Sequence, residues 1–206
     1  MRETLSWSVS PEATGPLLAA AIEEMNAHAP FRADDPVVAA APREAGLVGG
    51  VFRMMSPASW FHGAVASKVQ VLLSALVAER GLTMNHAPVR TAGGRTLREA
   101  DVAVYLGRAL QDAEDEVFPS FVPDLVVEVL SPSTASEDRG SKRAEYEDVG
   151  VREYYLLDPQ AKSVEAFVLE GGGYVLLRSD DQGRFPSVVV GQPWTPAAVF
   201  SLDSAP

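Results

Sequence analysis

The sequence predicts an α/β domain built on a mixed β-sheet, and three observations indicate this fold class. Residues 121–130 (FVPDLVVEVL) form a near-continuous apolar run bounded by prolines, which is typical of a strand buried on both faces at the centre of a sheet. Residues 59–80 carry apolar side chains at helical spacing, which predicts a long amphipathic helix. The C-terminal third alternates short apolar runs with turn residues, so we expect a meander of β-hairpins after the central strand.

The composition indicates one main folded domain and restricts its chemistry. The chain has 206 residues, of which 47% are hydrophobic and 22% are charged, as in an ordinary domain with a core. The net charge is −11, from 17 Lys and Arg against 28 Asp and Glu, so no global basic field can hold a polyanion, although a local groove can still be basic. The absence of cysteine excludes disulfides, thiolate metal sites and cysteine nucleophiles.

The N-terminal part differs in pattern from the rest. Residues 10–28 predict a helix, and residues 29–46, rich in proline and small side chains, predict a linker. We therefore divide the chain into an N-terminal helical appendage with its linker, 1–46, and a main domain, 47–206. The start resembles no secretory signal, and no run approaches 18 uninterrupted apolar residues, so we expect a cytoplasmic protein without a membrane partner.

Hairpin signals surround the long helix of the main domain. Residues 47–57 predict a strand or a hairpin, broken at Gly49 and Gly50. Residues 83–91 and 97–106 predict two strands joined by the turn AGGR. This order of helix, hairpin and central strand favours an α/β domain with a mixed sheet.

A second helix is expected after the central strand, over residues 136–149. Thr134 and Glu137 have the spacing of a capping box at its start. The acidic stretch within 107–120 is interpreted as solvated surface, because no turn residue organises its carboxylates into a metal site.

Glu128 is the residue least expected in its surroundings. It lies within the apolar run of the central strand, and an unpaired carboxylate buried there costs several kcal/mol. It must be protonated, paired with a cation or bound to a metal. A structural ion pair with Arg139 or Arg143 is the simplest alternative to a functional role.

Asp101 repeats this pattern at the start of the preceding strand. If the two strands are neighbours, Asp101 and Glu128 converge at one edge of the sheet and offer hard oxygen ligands for Mg²⁺ or Mn²⁺. Taken alone, Asp101 is better explained as a residue that caps its strand.

Two further side chains are candidates for the same site. Lys142 shares a helical stripe with Tyr146 and Val149, and an inward lysine can stabilise negative charge on a phosphate. Its alternative is a surface pair with Asp138, one turn earlier. His62 lies near the start of the long helix, where it is either a weak catalytic candidate or a helix-terminal residue packed on aromatic neighbours.

Assembled in this way, the sequence resembles the large bacterial family of endonucleases that share the restriction-endonuclease-like PD-(D/E)xK fold. The resemblance runs from about Val48 to Leu202 and is carried by five segments: MSPASWFHG, DVAV, PDLVVEVLSPST, DRGSKRAEY and GVREYYLLDP. The third segment is the most specific. The resemblance implies an α/β core with a central mixed sheet flanked by helices, a divalent-metal site and phosphodiester hydrolysis.

The resemblance also implies a role for each candidate. Asp101 matches the first active-site aspartate, and Glu128 matches the acidic residue of the second half-motif. Lys142 matches a lysine displaced onto the following helix, since Leu130 stands at the strand position of the lysine. The backbone carbonyl of Val129 is a further implied metal ligand, and His62 matches a histidine common in the long helix.

The sequence departs from the family pattern at two points. Ala100 stands where the family has a proline before Asp101, and the second departure favours an alternative function. The family usually has Asp-Gly-Glu where this chain has Gly49, Gly50 and Val51, so an auxiliary acid is missing, and the spacing of Glu44 does not suit a substitute.

The expected function is metal-dependent hydrolysis of phosphodiester bonds, with DNA as the substrate by analogy. The alternative is a weakened or inactive nuclease fold that acts as a binding or assembly module. Exposed strand edges would allow a homodimer.

Overall fold

A computed structural model of the chain describes residues 16–41, 45–54, 59–107 and 118–200. It divides into two compact units. The first covers Met1–Pro57 and Arg90–Arg98, and the second covers Ala58–Val89 and Glu99–Pro206. The predicted start of the first helix, the methionine-serine-proline stretch at 55–57, Glu44 and most of the acidic loop lie outside the described residues.

The first unit contains two helices and a small hairpin. Helix α1 (Pro16–Asn26) buries Leu18, Ile22 and Met25, the residues that the sequence places on its apolar face. The segment expected to be a linker contains the short helix α2 (Pro36–Ala39) and strand β1 (Ala45–Val48). Strand β1 pairs antiparallel with β2 (Val51–Met54), which confirms the predicted hairpin.

Gly49 and Gly50 form the two-residue turn of this hairpin with φ angles of 62° and 84°. Positive φ at both positions is the left-handed geometry that a tight hairpin favours and that glycine adopts without strain. A Cβ at Gly50 would also lie 2.9 Å from the Cβ of Pro30. The glycine pair at this point is therefore explained by turn geometry and by a close contact with the preceding chain.

The second unit contains most of a six-stranded sheet in the order β3-β4-β5-β6-β7-β8, whose residues 90–98, around the turn between β3 and β4, are counted with the first unit. Strand β5 pairs antiparallel with β4 and parallel with β6, whereas β6–β7 and β7–β8 are antiparallel. The sheet is therefore mixed, as predicted. Its strands are β3 (Gly81–Thr91), β4 (Thr96–Leu106), β5 (Leu125–Val129), β6 (Glu153–Asp158), β7 (Ser163–Glu170) and β8 (Gly173–Leu177).

Helix α3 (Trp60–Val77) packs on one face of this sheet and begins at Ser59, whose hydroxyl accepts a hydrogen bond from the His62 N–H at 3.2 Å. It is long and apolar enough by composition to cross a membrane. Five of its residues are nevertheless buried in the core. They pack with Leu125, Val127 and Val129, the alternate side chains of β5.

The opposite face of the sheet is covered by the helical segment after β5. This segment comprises α4 (Ala135–Glu137), a π turn (Asp138–Lys142) and α5 (Arg143–Asp148). Tyr146 packs there with Val126 and Tyr154. All five residues of β5 are buried, which confirms the predicted central strand. The predicted capping box is wrong, because the Thr134 side chain makes no cap bond and instead accepts from the Ser131 N–H at 3.3 Å.

A second buried carboxylate, Glu153 in β6, holds the C-terminal segment against the sheet. It accepts hydrogen bonds from the Ser187 hydroxyl (2.6 Å), the N–H groups of Val188 (2.8 Å) and Val189 (3.1 Å), and the Tyr155 hydroxyl (3.2 Å). Its charge is thus compensated by four donors at the point where the chain turns back over the sheet.

We expect Glu153→Ala to lower the free energy of unfolding by about 3 kcal/mol, because buried donors left without an acceptor each cost about 1–3 kcal/mol. Urea denaturation followed by circular dichroism measures the change. Glu170→Ala, at the exposed end of β7, is the matched control and should stay within about 0.5 kcal/mol of the wild type. An equal loss in both variants would contradict the structural role of Glu153.

Candidate active site

The buried Glu128 is compensated by Lys142. Lys142 Nζ lies 3.0 Å from Glu128 Oε2, and the Tyr146 hydroxyl donates to Glu128 Oε1 at 2.8 Å. Glu128 is 1% exposed and the Lys142 side chain 11%. The structure thus places Lys142 and Tyr146 on the sheet-facing stripe that the sequence predicts.

The arginines considered as alternative partners of Glu128 lie elsewhere. Arg139 pairs with Glu165 (2.8 Å) and Asp158 (3.7 Å), and the Arg143 guanidinium lies over the Phe167 ring. The ion pair with an arginine is therefore wrong, and the cation at Glu128 is a lysine. Both arginines are thus engaged by contacts outside the Glu128 cluster.

Asp138 joins this cluster through the π turn. Its Oδ1 lies 2.9 Å from Lys142 Nζ, and its side chain is 2% exposed. The pair expected on the surface is therefore buried, and it exists together with the Glu128 contact. A π turn at these residues widens the helix locally, a distortion often found at functional sites. The Tyr154 hydroxyl donates to the Asp138 carbonyl at 2.9 Å and ties the turn to β6.

Burial and charge determine the protonation of this cluster. Burial raises the pKa of Glu128, the Lys142 ammonium opposes this rise, and the carboxylates of Asp101 and Asp138 add to it. Burial alone would lower the pKa of Lys142, but the negative charges of Glu128 and Asp138 outweigh it and raise that pKa. Lys142 is thus held as a cation among carboxylates.

Asp101 lies beside Glu128 where the β4–β5 pairing ends. The pairing of Val102 with Val127 places Asp101 opposite Glu128 when the register is continued by one residue. The Asp101 Oδ2 atom accepts a hydrogen bond from the Val129 N–H at 2.7 Å. The Asp101 carboxylate therefore caps the end of the β4–β5 pairing and also lies next to the Glu128 carboxylate. Its position agrees with both interpretations of Asp101, as a strand cap and as a partner of Glu128.

His62 reaches the same point from α3. Its Nε2 lies 3.0 Å from Asp101 Oδ2. The hydrogen bond to Asp101 raises the pKa of His62, burial opposes the rise, and the Val129 carbonyl and the charge of Asp138 add to it. The imidazole therefore contacts the predicted site and is more than a helix-terminal residue packed on aromatics.

The oxygen donors fit a hard divalent cation in chemical type. Two carboxylates on adjacent strands, Asp101 and Glu128, lie next to the Val129 carbonyl, and such donors suit Mg²⁺ or Mn²⁺. In the described part of the chain, no group of three or more His, Asp or Glu side chains has the arrangement of a metal site. Any metal here would depend on two carboxylates and a backbone oxygen.

Val51, the position of the missing acid, begins β2 in the first unit and pairs with Val48. Asp138 is the participant for which the sequence predicts only a surface pair. The i, i+4 spacing of Asp138 and Lys142 indicates that they share a helix face, but it does not show that both side chains are buried next to Glu128.

The mixed sheet, its flanking helices and the cluster of carboxylates and lysine define a nuclease-like α/β fold. Residues 40–198 match the model of the Uma2 family, described as "Putative restriction endonuclease", and this chain belongs to that family. The resemblance seen in the sequence is confirmed, and with it membership of a nuclease family. No curated protein matches the chain.

Among solved structures, the chain is similar to a putative nuclease belonging to DUF820 from Anabaena variabilis. The TM-score is 0.61 at 14% sequence identity, over 76% of this chain and 89% of that chain. At this identity the similarity shows the fold alone, which agrees with the predicted restriction-endonuclease-like core.

We expect Asp101→Asn to lower the pKa of His62, because burial then acts without the carboxylate that opposes it. Titration of the His62 ring protons by NMR, in the presence of EDTA, should give a midpoint above about 6.5 in the wild type and a lower one in the variant. Asp124→Asn is the control, since Asp124 precedes β5 and contacts Arg152. An unchanged His62 midpoint in Asp101→Asn would contradict the contact.

We expect Lys142→Met to destabilise the fold by about 3–5 kcal/mol at pH 8, because it leaves buried carboxylates without their cation. A carboxyl with a raised pKa in the folded state binds protons more tightly than in the unfolded chain, so its contribution to stability is present at low pH and is lost as pH rises through the folded pKa. The loss in Lys142→Met should therefore be smaller at pH 5. Adding Glu128→Gln should restore part of the stability, and a loss independent of pH would contradict this explanation.

Proposed function

We propose that this protein is a metal-dependent nuclease that hydrolyses phosphodiester bonds in DNA. The observation that carries the proposal is the contact of Lys142 with Glu128, next to Asp101, at one edge of the central sheet. Membership of the Uma2 family supports nuclease activity in general. The metal, the substrate and the roles of the individual residues belong to the proposal.

Asp101, Glu128 and the Val129 carbonyl would hold Mg²⁺ or Mn²⁺. Bound there, the metal would lower the pKa of a water molecule and offset negative charge on the phosphate. Each carboxylate oxygen has two lone pairs, so the Glu128 oxygen that contacts Lys142 keeps a further acceptor position. The hydrogen bond from Val129 to Asp101 keeps that carboxylate facing the same edge.

Lys142 supplies a permanent positive charge. The surrounding carboxylates raise its pKa, so it stays protonated through the neutral range. Its partial exposure allows the ammonium to face a bound phosphate and to stabilise the negative charge that develops during hydrolysis. Glu128 and Asp138 hold the ammonium in place before the substrate arrives.

His62 acts through Asp101 and is a positioning residue in this proposal. Its imidazole is bonded to the Asp101 oxygen that also accepts the Val129 N–H. The two donors limit rotation of the carboxylate, in the way that outer hydrogen bonds orient metal ligands.

A weakened or inactive nuclease fold that serves as a binding module is the second candidate. It is favoured by Val51, which stands where an auxiliary acid is expected, and by the net charge of −11. It is also favoured by the pairing of Arg139 with acidic neighbours, which reduces the positive charge available to a DNA backbone.

We expect Asp101→Asn, Glu128→Gln and Lys142→Ala each to lower the rate of DNA cleavage with Mn²⁺ or Mg²⁺ by about 10²-fold or more, since the first two weaken the metal ligands and the third removes the cation that faces the phosphate. Cleavage of linear and plasmid DNA measures this loss. Glu170→Gln is the matched control and should cleave at the wild-type rate, because it lies at the exposed end of β7.

Calorimetric titration with Mn²⁺ gives a readout that needs no substrate. The wild type should bind the ion, and Asp101→Ala/Glu128→Ala should not. Full cleavage by Glu128→Gln would overturn the assignment of the site. Wild-type protein that neither binds Mn²⁺ nor cleaves DNA would favour the binding module.

A further inference from the structure

A cleft of about 430 Å³ lies next to the candidate active site, between the start of α3 and strand β3. Its size is within the range of small-ligand sites. Its walls combine small residues of α3 with aromatic and polar side chains: Ser59, Trp60, His62, Gly63, Asn85 and His86. Of these residues, only His62 belongs to the candidate active site, so the proposed nuclease function leaves the rest of the cleft unexplained.

The Trp60 indole is the largest apolar surface at this cleft. Trp60 is 80% exposed, although it is the first residue of a helix whose other face is buried in the core. A tryptophan exposed at the mouth of a cleft presents a flat ring to which another planar group can stack. Stacking of nucleobases on aromatic side chains contributes about 1–3 kcal/mol per base.

Asn85 provides a directional polar group in the same cleft. Its Oδ1 atom is buried and has no hydrogen-bond partner in the described part of the chain. A buried acceptor without a donor is costly, and a hydrogen-bond donor on a bound ligand would relieve this cost. Exocyclic amino groups and ring N–H groups of nucleobases are donors of this kind.

The backbone at the next residue is also unusual. His86 has a φ of 52°, in the left-handed region that non-glycine residues seldom adopt. Its side chain is 67% exposed and pairs with Glu99 at 2.8 Å, on the strand next to β3. The distortion lies within the cleft wall, where strained backbone often accompanies a binding site.

His62 connects this cleft to the candidate active site. It lines the cleft, and its Nε2 contacts Asp101 at 3.0 Å. A nucleotide whose phosphate lies at Asp101 and Lys142 can therefore place its base in this cleft. The cleft offers both an aromatic ring for stacking and a polar side chain next to the candidate active site.

The charges around the site favour base contacts over backbone contacts. Arg139 pairs with Glu165 and Asp158, and Arg143 lies over Phe167, so these two arginines of the site helix are engaged within the protein. Binding of a duplex depends mainly on cations that neutralise its phosphates. A single strand, in contrast, also offers unstacked bases to an aromatic side chain.

We propose that the cleft binds one unstacked base of a single-stranded nucleic acid, with Trp60 stacking on the base and Asn85 accepting a hydrogen bond from it. This inference rests on the proposed nuclease function, and it specifies the substrate as single-stranded or locally unpaired nucleic acid. Binding of the base positions the neighbouring phosphate toward Asp101 and Lys142.

Fluorescence anisotropy with labelled single-stranded 12-mers, in EDTA, tests the inference without metal or cleavage. Trp60→Ala should raise the Kd for an oligonucleotide with bases about tenfold, and it should leave the Kd for a fully abasic oligonucleotide unchanged. Asn85→Ala should change the relative affinities for oligo-dA, oligo-dC and oligo-dT, because the bases differ in the donors that they offer.

Gly63 allows a second variant that fills the cleft without disturbing the fold. A Cβ at Gly63 would meet no heavy atom within 4 Å, and replacing glycine within a helix favours the helical state. Gly63→Leu should therefore keep the wild-type Tm while it abolishes the preference for oligonucleotides with bases. Val71→Ala is the control, since Val71 is 70% exposed on the same helix and does not line the cleft.

The outcomes separate this inference from the proposed function. An equal Kd for wild type and Trp60→Ala, with cleavage retained, would overturn the base cleft alone. Binding that depends on Trp60 and on bases, without any cleavage, would support the cleft and overturn the nuclease function. A wild-type dimer that Gly63→Leu converts to a monomer, with unchanged oligonucleotide binding, would assign the cleft to contact between two copies and overturn the inference.

Discussion

The burial of the Glu128 carboxylate in the central strand is the constraint on which the rest of the site depends. Its burial cost is offset by Lys142 and by the Tyr146 hydroxyl, both on the helical segment that covers this face of the sheet. The Lys142 ammonium and the Tyr146 hydroxyl can reach Glu128 together only in one rotational position of the helix, because a shift of one residue turns both side chains away from the strand. The same contact therefore positions the helix and assembles the charged cluster.

The π turn shows how the helix accommodates this constraint. Residues at i and i+4 lie on one face of a helix, and over the π turn Asp138–Lys142 both of these side chains face inward. The ammonium is thus shared by two carboxylates, and Tyr154 holds the turn through the Asp138 carbonyl. The result is a cation that is charged and fixed before any substrate binds, which is the arrangement that electrostatic catalysis requires.

The two faces of the sheet contribute different parts of the proposed function. The face covered by α5 holds Glu128, Lys142 and Asp138, whereas α3 supplies His62 and the wall of the cleft at Trp60. Asp101 lies where these parts meet, bonded to both His62 and the Val129 backbone. In the proposed function, a phosphate and the base next to it would contact neighbouring groups that belong to one sheet and its helices.

The sequence by itself determined the mixed sheet, the buried central strand, the two helices that cover it and the identity of Asp101, Glu128 and Lys142 as candidates. These follow from local periodicity and from polar residues within apolar runs, which are properties of short segments. Only the tertiary structure decided which cation compensates Glu128, that Asp138 is buried, and that Trp60 and Asn85 line one cleft. These features depend on contacts between segments far apart in the chain. The helical periodicity of a sequence does not indicate a π turn, nor does it indicate that the Asn85 Oδ1 atom lacks a hydrogen-bond partner in the described part of the chain.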